Sequence, residues 1–166
     1  MDPAGIDAFY QSVATVSFTL LGLWWVVVQL KFKAGSGDPA RRRHAYGISS
    51  FFLLPGVMSM VSSVNSDHAA LWRVAFGVTA LLGALEVVLY LRTGGERSTG
   101  PLVVRLGGLV LYVVIALFAL RPELTADLGI DLAPREVEAI LVALLVVVGA
   151  NLAWFGLTEP EETAGV

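Results

Sequence analysis

The chain contains no cysteine. Disulfides, thiolate metal sites and cysteine nucleophiles are thereby excluded. Charge is scarce as well: 15% of residues are Asp, Glu, Lys or Arg, against about a quarter in an ordinary soluble domain. The two histidines, His44 and His68, flank the second apolar run at its two ends, which puts them on opposite faces of a membrane, so they cannot share a metal. No Ser/His/Asp set, HExxH spacing or glycine-rich phosphate loop occurs, so neither an enzyme nor a cofactor is expected. The net charge is −3 and the basic residues sit in short connections rather than in a tail, which argues against a nucleic-acid partner.

What the chain has in excess is apolar sequence. Of its 166 residues 56% are hydrophobic, and the mean hydropathy is +0.75. The excess comes in blocks of about 20 residues, the length of a helix that crosses the roughly 30 Å hydrocarbon core of a bilayer. The expected fold is an all-α, polytopic helical bundle with five spans, at about 8–31, 45–64, 69–91, 102–120 and 135–157. Residues 1–158 form one transmembrane domain, and 159–166 an acidic tail. Met1-Asp2-Pro3-Ala4 lacks the basic start of a cleaved signal peptide, so the first run is expected to be an uncleaved span.

Lys31, Lys33 and Arg41 to Arg43 occupy the first connection, and Arg92, Arg97 and Arg105 the third or its edge, whereas the second and fourth are nearly neutral or acidic. The positive-inside rule then puts the N-terminus outside and the C-terminus in the cytoplasm of a cell-membrane protein.

The second span is the least apolar, with five serines, and Pro55-Gly56 stands at its middle. A proline there removes a helical hydrogen bond and usually bends the helix. The span is expected either to cross with a bend or to form a broken helix beside a cavity, and Pro55 and Gly56 are hinge candidates. Ser49, Gly56 and Ser63 recur every seven residues as a small-residue packing face.

The first span carries a second pattern. Ser12, Thr15, Thr19, Gly22, Val26 and Gln29 recur at spacings of three and four and share one side of the helix. Such a strip serves close helix packing, or it lines a polar path when several copies surround an axis. In the second case Asp7 stands at the outer mouth as an acidic ring, and Lys33 at the inner one.

Glu86 is the ionisable residue placed well inside a span, where a carboxylate costs a few kcal/mol. Arg105 falls at a similar depth in the next span, so a Glu86–Arg105 pair between helices is expected. Arg41, Arg42 and Arg43 sit at a helix start, where the macrodipole disfavours cations. Contact with anionic lipid headgroups, or a regulatory role, accounts for them. Trp72 and Trp154 fit interfacial belts, and Asn151 is expected to bond to a neighbouring helix.

The functional expectation is a small homo-oligomeric channel or pore-forming subunit, its first helix lining the path. The alternative is a non-conducting scaffold or accessory subunit that binds a partner membrane protein and anionic lipid.

Overall fold

A computed structural model describes residues 3–31, 39–64, 69–93 and 98–158. Residues 1–2, 32–38, 65–68, 94–97 and 159–166, among them Lys33 and the expected acidic tail, lie outside the described residues. Six helices follow in order: α1 (Pro3–Lys31), α2 (Pro39–Val64), α3 (Ala69–Arg92), α4 (Thr99–Leu120), α5 (Leu124–Asp127) and α6 (Pro134–Thr158). All except α5 are long and apolar enough to cross a membrane, and the chain is a multi-pass bundle. In lipid every peptide group must bond within its own segment, so each apolar run becomes helix throughout. Even α4, with 22 residues, is about 33 Å long at 1.5 Å per residue. Three spans open on a proline, Pro3, Pro39 and Pro134, whose missing N–H is no loss in the first turn.

Helix α1 packs on α2, α2 on α3, α3 on α4 and α4 on α6, while α6 also meets α1 and α2. Three neighbours enclose α2, and 67% of its apolar stretch is buried, against 17% for α1. That explains its composition. Ser49, Ser50, Ser59 and Ser62 face protein, not lipid. The helix runs unbroken through Pro55 and is long and apolar enough to cross a membrane. Helix α3 carries the opposite surface: Val74, Val78, Leu81, Leu85 and Leu89 form an exposed apolar stripe suited to lipid.

At mid-depth the core is aromatic and its close contacts are made at glycines. The Phe51 ring lies over Gly108 of α4, and Phe51 and Phe52 flank Gly149 of α6. Pro55 has no N–H, so the carbonyl of Phe51 lacks its helical donor. A Cβ on Gly149 would lie 3.1 Å from that oxygen, so the α6 backbone covers the exposed acceptor. The proline is set in a packed interior, where Phe51, Phe52 and Phe76 are at most 2% exposed.

Two cationic side chains close helix ends from a neighbouring helix. Lys31 Nζ donates to the carbonyls of Gly156 and Leu157 at 3.0 and 3.3 Å. Arg73 Nε and Nη2 each donate at 3.0 Å, to the carbonyls of Ala119 and Leu120. The final carbonyls of α6 and α4, which have no intrahelical donor, are satisfied in this way by positive charge at the negative end of the dipole. One end of the bundle bears Lys31, Arg42, Arg43 and Arg92 and is basic. The other bears Asp7, Glu123, Asp127, Asp131 and Glu136 against Arg73, Arg121 and Arg135, and is acidic.

Candidate functional site

Helix α1 is held by one side. Tyr10, Ala14, Ser17 and Trp24 are buried against the bundle. The Trp24 indole N–H donates to the Ala45 carbonyl at 3.0 Å, and the Tyr10 hydroxyl to the Arg135 carbonyl at 2.8 Å. The opposite side is open. Ser12, Thr15, Thr19, Gly22 and Gln29 are all exposed, Val26 is 52% exposed, and no atom of another residue approaches the Cβ direction of Gly22 within 4 Å. Ser12 and Thr15 donate their hydroxyls to the Ala8 and Gln11 carbonyls of their own helix, both at 2.9 Å. The whole strip is thus turned out of the subunit, and α1 meets Gly56 of α2 through Ser17 and Phe18 instead.

The hinge candidates are enclosed. Pro55 and Gly56 are buried, and a Cβ on Gly56 would lie 3.1 Å from the Phe18 ring and 3.2 Å from Ser17.

A polar cluster occupies the basic end. Arg105 is 1% exposed, and its guanidinium lies 3.9 Å from the centre of the Tyr90 ring, a cation–π contact. Gly47 leaves room for it, since a Cβ there would stand 3.2 Å from Nη1. Tyr90 in turn holds His44, its hydroxyl 2.7 Å from Nδ1. Glu86 lies beside Ser50 and within electrostatic reach of Arg105. Its Oε1 is buried without a hydrogen-bond partner among the described residues. The two charged residues read from the sequence therefore share one cluster, to which His44 and Tyr90 also belong.

A second cluster stands at the acidic end, and sequence reasoning missed it. Arg135 Nη2 bonds to Asp7 Oδ1 at 2.9 Å, and to the carbonyl and hydroxyl of Ser62 at 3.1 and 3.2 Å. One side chain thus joins α1, α2 and α6. Glu138, one turn further along α6, is 0% exposed, and neither carboxylate oxygen has a hydrogen-bond partner among the described residues. The signal in the sequence is a glutamate inside the apolar stretch that follows Arg135, which a fifth span beginning at Arg135 assigns to the interface. The expected acidic ring is corrected too: Asp7 is paired with Arg135, not free at a mouth.

Other positions differ from expectation for local reasons. Trp72 is buried edge-on to Phe76 rather than in a belt. Asn151 donates to the Val147 carbonyl of its own helix at 2.8 Å and is exposed. Arg42 and Arg43 are exposed, and the Arg41 side chain lies outside the described residues. Among the described residues no three His, Asp or Glu side chains group as a metal site. No family model matches the chain, and neither a curated protein nor a solved structure does.

Proposed function

We propose that this chain is the subunit of a small homo-oligomeric channel in the cell membrane, in which the α1 strips of several copies face a common axis. The observation that carries the reading is the outward turn of Ser12, Thr15, Thr19, Gly22 and Gln29 on a helix anchored by its other face. A subunit filled by Phe51 and Phe52 at mid-depth, and by Phe76 nearer the acidic end, offers no path of its own, so conduction requires an axis between copies. Hydroxyls at several depths would replace part of the hydration of an ion or small polar solute. With the N-terminus outside, Gln29 sits toward the cytoplasmic mouth, and Arg42 and Arg43 meet anionic headgroups at about 1 kcal/mol per basic residue.

Flux through vesicles containing the purified protein tests this. Wild type should conduct, Thr19→Leu should conduct far less, and Leu85→Ala on the lipid-suited face of α3 should match wild type. Absence of flux in every variant contradicts the reading.

One observation favours the second reading, a non-conducting accessory subunit. The Ser12 and Thr15 hydroxyls already donate within α1, which leaves a small, hydrogen-bond-satisfied strip suited to a partner helix. A complex holding one copy of this chain beside a different membrane protein would support it.

A further inference from the structure

Glu138 is the most completely enclosed carboxyl group in the described bundle, at 0% exposure. A buried carboxylate is tolerated when it is paired or hydrogen-bonded, and otherwise costs several kcal/mol. Neither Glu138 oxygen has such a partner among the described residues. The Nε of Arg135, three residues earlier on the same helix, is buried and likewise without one. Residues three apart share a helix face, so the two groups can meet by side-chain rotation alone. At present the guanidinium is engaged elsewhere, through Nη2 with Asp7 and Ser62.

The surroundings are few and can be named. From α1 the site is faced by Asp7 and Tyr10, from α3 by Arg73, and from α6 by Arg135. The half of α2 beyond Pro55 contains no titratable residue. It supplies Ser62, and also Ser59, whose hydroxyl is buried without a partner. Ser62 meets Arg135 and Phe52 meets Gly149, so the antiparallel register sets Ser59 level with the turn that begins at Glu138. Beyond Tyr112, α4 is apolar to its end.

We propose that Glu138 is a proton-binding site whose occupancy sets the partner of Arg135, and with it the hold of the bundle on the outer part of α1. With the proton bound, the carboxyl is neutral, Arg135 stays on Asp7, and α1 is latched to α6 and α2. When the O–H bond breaks and the proton leaves to water at the acidic end, the carboxylate accepts Arg135 Nε–H. Asp7 then loses its cation, and the start of α1 is released. In this switch the side-chain rotation that carries Nε to Glu138 draws Nη2 off Asp7 and Ser62, so the two arrangements exclude each other. The site stands whether or not the α1 strip conducts.

The full chain in lipid vesicles provides the test, since both readouts are independent of flux. Infrared difference spectra across a pH titration should show the carbonyl stretch of a buried carboxylic acid, lost as pH rises and absent from Glu138→Gln. A spin label on Ala8→Cys, an exposed position one residue after Asp7, should gain mobility several-fold over the same pH range. Glu138→Gln should hold the label immobile throughout, and Asp7→Asn should leave it mobile throughout. No acid band at any pH, or a mobility rise that persists in Glu138→Gln, would overturn the proposal.

Discussion

Gly149 of α6 lies against the carbonyl of Phe51, the acceptor that Pro55 leaves without its helical donor. A Cβ at position 149 would stand 2.9 Å from the Phe52 ring, 3.0 Å from Phe51 Cβ and 3.1 Å from that oxygen. Backbone and core rings cannot yield cheaply, so Gly149→Ala is expected to cost about 1–3 kcal/mol. Reversible unfolding of the detergent-solubilised protein measures it. Gly107→Ala, where no atom lies within 4 Å, should be neutral or slightly stabilising.

Arg105 is chosen for shape as well as charge. Its planar guanidinium covers the Tyr90 ring at 3.9 Å, an arrangement lysine cannot reproduce. Arg105→Lys should therefore lose about 1–2 kcal/mol. Tyr90→Phe keeps the ring under the guanidinium but removes the 2.7 Å contact with His44, and should cost about 1 kcal/mol. The same unfolding assay separates the two contributions.

The caps supplied by Lys31 and Arg73 have a common signature. Lys31→Met preserves most of the buried stem but leaves the Gly156 and Leu157 carbonyls without that donor. A loss of about 0.5–2 kcal/mol is expected, accompanied by faster amide exchange in the last turn of α6. Arg73→Met should do the same to the last turn of α4.

The two faces of α1 should answer differently to one chemical change. Thr15→Leu and Thr19→Leu alter exposed positions and should leave subunit stability within about 0.5 kcal/mol, while changing the number of copies in the solubilised complex. Ser17→Leu enlarges a side chain already at contact distance from Gly56, and should destabilise by about 1–3 kcal/mol without that selective effect on assembly.

The five spans were legible because bilayer thickness acts on sequence directly: each run is long enough to cross and is bounded by charge, glycine or proline. The strip on α1 was legible as a pattern. Its direction was not, because small and hydroxyl residues satisfy either a neighbouring helix or an open surface. The serines of α2 made that span look marginal for the same reason, since their burial depends on three neighbouring helices. Interactions that join distant parts of the chain left no local trace. Lys31 and Gly156 are 125 residues apart, and Asp7 and Arg135 are 128 apart. Glu138 is masked by a boundary: a span that starts at Arg135 makes a glutamate one turn later look like a residue of the interface.

A shared wet axis along α1 is tested most directly by the water accessibility of a single cysteine at position 19. The chain has no other cysteine, so Thr19→Cys in intact vesicles reports on that position alone, with Leu85→Cys as the lipid-facing reference. The expected result is ready modification of Thr19→Cys by a charged, water-soluble thiol reagent while Leu85→Cys stays protected. Equal protection at both positions would contradict the account.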